Sequence, residues 1–174
     1  MPDARDSQKV LPQFDRDQSV WRSFSDIAFG FVAMIWLGGL LGVSFLATPV
    51  KFQAPSLDLP TALDVGRVTF ALLSKTEWAL CAIVFATTLL SPQSRNLRLG
   101  VIAILALVLI IQAVWLLPLL DARVSQIIAG VMVPGTPHHR LYIAAEALKV
   151  VLLVGLSIDA LSALRAPRDV QRCA

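Results

Sequence analysis

The chain has 174 residues, of which 56% are hydrophobic and 16% charged, whereas a soluble domain averages roughly 45–50% and 25%. Its net charge of +3 is small, and the basic residues form no concentrated face of the kind that binds nucleic acid. The composition therefore excludes a soluble nucleic-acid-binding protein. We expect the lipid bilayer as the main partner, with a second membrane protein or another copy of the chain as further partners.

Four long apolar segments follow one another along the chain. Three of them, at 27–50, 78–93 and 99–120, contain no charged residue. The fourth, at 141–164, is interrupted only by Glu146, Lys149 and Asp159. A bilayer core of about 30 Å needs about 20 apolar helical residues. We predict an all-α, integral membrane four-helix bundle at about 23–165, with spans at about 26–48, 70–91, 97–120 and 139–164. Polar tails at about 1–22 and 166–174 would flank it.

The connections between the spans carry helix boundary signals. Pro49 is a natural stop for the first helix, and Pro60 suits the first turn of the second. From Thr61 the pattern is amphipathic and leads into the second span, and a second short amphipathic helix is predicted at about 121–133. Pro118 lies near the end of the third span, where a kink costs least. We expect both amphipathic segments at the membrane interface.

The distribution of lysine and arginine predicts the orientation. Nine of these residues fall on the side of the two termini and the 93–98 turn. The other side has five: Lys51, Arg67, Lys75, Arg123 and Arg140. Because cytoplasmic segments carry the excess of basic residues, both termini are predicted to be cytoplasmic, in a cell membrane of the bacterial inner-membrane type.

A polar stripe runs along the fourth predicted helix. His139, Tyr142, Glu146 and Lys149 are spaced by three, four and three residues, so they share one helical face. Ionisable groups at this depth normally face the bundle interior and pair. Two interpretations stay open: an internal Glu146–Lys149 ion pair that fixes helix packing, or a polar pocket that conducts protons or binds a ligand.

His138 and His139 open the same helix. Neighbouring residues of a helix point about 100° apart, so one helix does not aim both imidazoles easily at one metal ion. A mixed site with a carboxylate such as Asp121 or Asp64 is the alternative. We expect no metal and no cofactor, and interpret the pair as a polar helix start.

Small residues form a second pattern, in the first span. Gly38, Gly39 and Gly42 include a G-x-x-x-G motif, which lets helix backbones approach closely. We expect these glycines to pack against another helix of the same chain, with dimerisation as the alternative.

Charged residues also gather, by topology, near the outer interface. Ion pairs between the two outer segments and contact with lipid headgroups are both open interpretations for these residues: Lys51, Asp64, Arg67, Glu77, Asp121 and Arg123.

Short motifs resemble a known group of membrane proteins. Residues 36–39 read Trp-Leu-Gly-Gly, residues 48–52 read Thr-Pro-Val-Lys-Phe, and Gly66-Arg67 follows in the second helix. Trp115-Leu-Leu-Pro118 closes the third span. These features resemble small four-helix membrane proteins related to vertebrate transmembrane protein 205, a domain-of-unknown-function family, and more weakly the anthrone-oxygenase-like membrane proteins. The first resemblance implies a four-helix fold and no particular reaction.

Three functions are compatible with the sequence, which contains no Walker, dinucleotide-binding, H-E-x-x-H or G-x-S-x-G motif. The first is a non-enzymatic accessory, scaffold or lipid-interacting membrane subunit. The second is a membrane-embedded redox or oxygenase-like enzyme acting on a hydrophobic substrate. The third is a small transporter or proton pathway through the polar stripe. We favour the first, because no catalytic signature is present.

Overall fold

Four long helices account for the part of the chain that the structure, a computed structural model, describes: residues 24–91, 95–135 and 137–165. They are α1 (Phe24–Lys51), α2 (Leu59–Leu90), α3 (Arg95–Ile128) and α4 (His138–Arg165). Each is long and apolar enough to cross a membrane. The predicted all-α membrane bundle is confirmed, while both predicted tails lie outside the described residues.

The helices run alternately up and down. The connection 52–58 and residues 129–135 lie at one end of the bundle, named here the upper end, and the end of α2 and the start of α3 lie at the lower end. Contacts fix this arrangement. Arg98 at the start of α3 binds Asp26 at the start of α1 and Asp159 near the end of α4. At the upper end, Arg67 of α2 binds Asp121 of α3.

The amphipathic segments are continuous with the spans. α2 begins at Leu59 with Pro60 in its first turn, as the sequence indicates. The segment predicted as a separate helix at 121–133 is instead part of α3, which continues past Pro118 to Ile128. Gly130, with a φ of 76°, then turns the chain, and its position requires the left-handed conformation that glycine adopts without strain.

Two stretches of wider π-helix interrupt α1 and α3, at Leu41–Ala47 and Gln112–Leu116. Each is followed within two residues by a proline, Pro49 or Pro118. A proline inside a helix lacks an N–H and clashes with the carbonyl four residues earlier, which the helix relieves by widening. In α1 the carbonyl of Val43 accepts hydrogen bonds from the backbone N–H of Thr48 and from its hydroxyl, the latter at 2.8 Å. The prolines therefore shape the helices without ending them.

The apolar core lies between all four helices in the lower half of the bundle. Gly30 of α1 lies against Ala160 of α4 so closely that an added Cβ would lie 2.9 Å from the Ala160 Cβ. The core is built from the following buried residues: Phe29, Ala33, Trp36, Leu40, Cys81, Val84, Ile102, Leu105, Leu109, Leu153, Leu156 and Ala160.

The glycines of the G-x-x-x-G motif do not contribute to this packing. A Cβ added at Gly38, Gly39 or Gly42 would meet no atom within 4 Å. The expected packing of these glycines within the chain is therefore wrong. The reason is rotational: Trp36 and Leu40 of the same helix are buried, and the glycines lie on the other side of α1.

Candidate functional site

A buried ionic cluster occupies the middle of the bundle, and every helix contributes to it. We call it the central cluster. It consists of Trp36 and Ser44 of α1, Glu77 of α2, Gln112 of α3, and Glu146 and Lys149 of α4.

Lys149 stands at its centre and bridges two carboxylates. Its Nζ lies 2.6 and 2.8 Å from the two carboxylate oxygens of Glu77 and 2.9 Å from Oε1 of Glu146. The ammonium is 0% exposed, and Glu77 and Glu146 are 2% and 1% exposed. All three ammonium protons thus have a carboxylate acceptor, which the depth of the site requires.

Neutral donors complete the coordination of both carboxylates. The Trp36 indole donates to Oε1 of Glu77 at 3.1 Å. The Ser44 hydroxyl donates to Oε2 of Glu146 at 3.0 Å, and the Gln112 amide donates to Oε1 at 2.9 Å. Ser44 lies within the π-helical stretch of α1 and Gln112 begins that of α3. Wide turns of this kind are often found at functional sites, and here they present the two donors to one carboxylate.

The position of Glu77 corrects the sequence-based prediction. The i,i+3 pair of Glu146 and Lys149 is present, but Glu77 was expected among the outer-face charges. It is instead the closest partner of Lys149. The second span was predicted to begin near residue 70, which put Glu77 close to its outer end. α2 begins eighteen residues earlier, at Leu59, so Glu77 lies well inside the bundle.

A large cavity extends from the upper end of the bundle down to Glu146. We call it the upper cavity. Its volume is about 1070 Å³, at the upper limit of the roughly 300–1,000 Å³ of typical ligand sites. Its walls are mostly apolar, and its lower part is formed by Tyr142, Glu146 and Ser44. Tyr142 is held against Phe70 of α2 by an edge-on ring contact with centroids 5.2 Å apart.

Lys51 projects into this cavity from the end of α1. Its Nζ lies 5.1 and 5.8 Å from the ring centroids of Phe52 and Phe70. It also lies over Gly66 of α2, where an added Cβ would come within van der Waals overlap of the ammonium. Glycine at position 66 thus leaves the space that Lys51 fills. Among residues 24–91, 95–135 and 137–165, no carboxylate lies within ion-pairing distance of Lys51.

The other charges near the cavity mouth are partly paired. Arg67 lies 2.5 Å from Asp64 and 3.4 Å from Asp121, and donates to the Ser125 hydroxyl at 3.4 Å. The Arg67–Asp121 contact joins α2 to α3. It is an ion pair between the two outer segments, one of the two interpretations that the sequence allowed. Arg123 also lines the cavity.

The two histidines have different surroundings. His138 packs edge-on against Trp115, with ring centroids 6.1 Å apart, whereas His139 lines the upper cavity. Within the described residues, no group of three or more His, Cys, Asp or Glu side chains could hold a metal ion.

A second ionic cluster, at the lower end, was not foreseen. Arg98 is fully buried and lies 2.6 Å from Asp26 and 2.7 Å from Asp159. Its guanidinium stacks over the Phe29 ring at 4.1 Å, and the Ser91 hydroxyl donates to Asp26 at 2.7 Å. The sequence assigned Arg98 to a polar turn. Asp159, an acidic residue inside an apolar run, was the one signal for a buried partner.

Comparison with known proteins identifies a family only by its description. No curated protein and no solved structure matches the chain. Residues 31–128, more than half of the chain, match a family described as a domain of unknown function (DUF4149). The matched residues include Trp36, Ser44, Glu77 and Gln112 of the central cluster, and end before α4. The chain therefore belongs to this family of unknown function.

Proposed function

We propose that the protein is a non-enzymatic, lipid-interacting membrane protein that binds one anionic lipid in the upper cavity. The observation that carries the proposal is the cavity itself. It combines mostly apolar walls with a lysine that has no carboxylate partner within the described residues. Ligand sites of this kind bind the apolar part of a molecule along their walls and orient it with a few polar groups.

Charge complementarity favours an anionic headgroup over a zwitterionic or cationic one. Arg67 is shared between two aspartates, whereas Lys51 lines the cavity with no carboxylate partner among the described residues. Its stem is partly buried and its ammonium faces the cavity. A phosphate or carboxylate beside Lys51 would gain about 1 kcal/mol, the usual contribution of a basic residue to binding anionic lipid.

The apolar walls favour acyl chains as the other part of the ligand. They are contributed by all four helices and include Phe45, Leu63, Leu117, Val124 and Ile143. Phe45 remains 41% exposed, so this part of the wall is open to an apolar ligand. An amphiphile with its headgroup at Lys51 would therefore have its chains against these apolar residues.

The proposal includes a location and an orientation. The excess of lysine and arginine on the predicted inner side supports a cell membrane with both termini in the cytoplasm, so the upper cavity would open outward. The likeness to proteins related to transmembrane protein 205 supports a small four-helix membrane protein and no particular reaction. An enzymatic role has no comparable support from the geometry.

Native mass spectrometry of the full chain in mild detergent tests lipid binding. The protein is titrated with phosphatidylglycerol and, separately, with phosphatidylcholine. We expect one phosphatidylglycerol to bind at lower concentration than phosphatidylcholine. Lys51→Met should weaken phosphatidylglycerol binding about fivefold, as expected for about 1 kcal/mol, without changing phosphatidylcholine binding.

Two further variants sharpen the test. Gly66→Ala should also weaken phosphatidylglycerol binding, because the added methyl group displaces the ammonium of Lys51. Lys75→Met is the matched control, since Lys75 is exposed on α2 and does not line the cavity. Equal binding of the two lipids, or equal loss in Lys51→Met and Lys75→Met, would contradict the proposal.

A further inference from the structure

The central cluster contains one more acid than base. Glu77, Glu146 and Lys149 are its ionisable members, and each is at least 98% buried. With all three ionised, the cluster holds one net negative charge in the middle of the bundle. An uncompensated charge at such depth is costly, and acidic groups there commonly take part in proton transfer.

We propose that Glu146 is a proton-binding site that takes its proton from the upper cavity. The step is a simple transfer: a hydronium ion in the cavity gives one proton to Oε2 of Glu146, which leaves water and a neutral carboxylic acid. The cluster is then electrically neutral, with Lys149 paired to Glu77. No electron transfer and no other reactant are involved, and the site does not depend on whether a lipid binds.

Geometry assigns the proton to Glu146 and not to Glu77. Glu77 receives two short bonds from Lys149, at 2.6 and 2.8 Å, which favour its ionised form. Glu146 has a single and longer contact with the ammonium. Glu146 also lines the upper cavity, whereas Glu77 does not. Glu146, which has the weaker contact with Lys149, is thus also the carboxylate that a proton can reach from the cavity.

Ser44 explains how the cluster accommodates a proton on Oε2. Its hydroxyl now donates to that oxygen at 3.0 Å. A hydroxyl can donate or accept, so after protonation the acid can donate to the Ser44 oxygen with no loss of a hydrogen bond. A proton on Oε1 would have no acceptor there, because the Gln112 amide nitrogen and the Lys149 ammonium beside it are both donors. Ser44 lines the cavity as well.

Every helix places groups around Glu146. α1 contributes Ser44, α2 contributes Glu77, and α3 contributes Gln112. On α4, Tyr142 lies beside Glu146 one turn earlier, and Lys149 lies one turn later. The charged or titratable residues that share the cavity with Glu146 are Lys51, Arg67, Asp121, Arg123, His139 and Tyr142.

Infrared difference spectroscopy of the full chain in phosphatidylcholine vesicles tests the assignment. Spectra are recorded at successive pH values over the range in which the protein stays folded. We expect the C=O band of a buried carboxylic acid to appear as the pH falls. The band should be lost in Glu146→Gln, which replaces the acid by its neutral isostere. Asp159→Asn is the matched control, since Asp159 is an ion-paired carboxylate of α4, and it should retain the band.

Ser44→Ala gives a second and independent measurement. Removal of the hydroxyl takes away the hydrogen bond between Ser44 and Oε2 of Glu146, so the same band should shift to higher frequency while the protein stays folded. This variant decides the question if Glu146→Gln does not fold. Persistence of the band in Glu146→Gln, an unshifted band in Ser44→Ala, or no band at any pH would overturn the proposal. None of these results depends on phosphatidylglycerol binding, so the two proposals fail separately.

Discussion

At the residue scale, the central cluster shows what spacing in one helix can and cannot predict. Glu146 and Lys149 are three residues apart, and the ion pair between them follows from helix geometry alone. Their partners Glu77, Ser44 and Gln112 lie on other helices, and nothing in the periodicity of α4 identifies them. Cross-helix contacts depend on how each helix is rotated and shifted, which local sequence does not fix. The same reason explains why the Arg98 cluster was not foreseen.

Lys149 should be the most sensitive residue of the cluster. Lys149→Met leaves two carboxylates facing each other without a cation, and removal of one member of a buried ion pair costs about 3–5 kcal/mol. Glu146→Gln should cost much less, because Lys149 keeps its two bonds to Glu77. Thermal unfolding in detergent measures both.

The triple variant Lys149→Met, Glu77→Gln, Glu146→Gln removes every charge of the cluster and should recover much of the stability lost in Lys149→Met. Lys75→Met serves as the exposed control and should melt like the parent. If Lys149→Met unfolds at the parent temperature, the ion pairs do not hold the helices together, and the ammonium lies in a hydrated space.

At the element scale, the prolines and glycines act differently from their expected roles. Pro49 and Pro118 were predicted to stop or kink helices, and both helices continue past them with a π-helical stretch on the preceding side. That stretch changes which side chains face the bundle. Each proline predicts that the helix is distorted nearby. It does not predict whether the helix widens or breaks, since both relieve the same steric clash.

The glycine pattern is equally dependent on rotation, and a pair of variants of α1 tests it. Gly30→Leu should lower the free energy of unfolding by about 1–3 kcal/mol or more, because the new side chain meets Ala160. Gly38→Leu should leave stability unchanged or slightly higher, because its surroundings are open and leucine favours helix. Thermal unfolding and size-exclusion chromatography measure stability and assembly. A loss of dimer in Gly38→Leu would show that the motif joins two copies. A lower melting temperature of Gly38→Leu with no change in assembly would contradict the structure.

At the scale of the whole molecule, charged groups form three layers inside an apolar bundle. On α3, Arg98 and Gln112 are about 21 Å apart along the helix axis, and Gln112 and Asp121 are about 14 Å apart. The lower layer ties α1, α2, α3 and α4 together through Arg98, Asp26, Ser91 and Asp159. The middle layer is the central cluster, and the upper layer contains the Arg67 ion pairs.

Composition and run length were enough to predict four spans and their alternating directions. Only the Glu146–Lys149 pair and the possibility of ion pairs at the upper end could be predicted, because the other contacts of each layer join residues far apart in sequence.

This layering gives the orientation of the bundle a measurable consequence. The upper cavity, the connection 52–58 and residues 129–135 share one end. In the orientation that we propose from the lysine and arginine distribution, this end would face the outside of the cell. In a background with Cys81 and Cys173 replaced by serine, single cysteines at Asp58 or Gly135 should react with a membrane-impermeant reagent added to intact cells. A cysteine at Asn96, exposed at the lower end, should react only after the membrane is opened. Strong labelling of a cysteine at Asn96 from outside would show that the orientation is the opposite one. Glu146 would then take its proton from the cytoplasm.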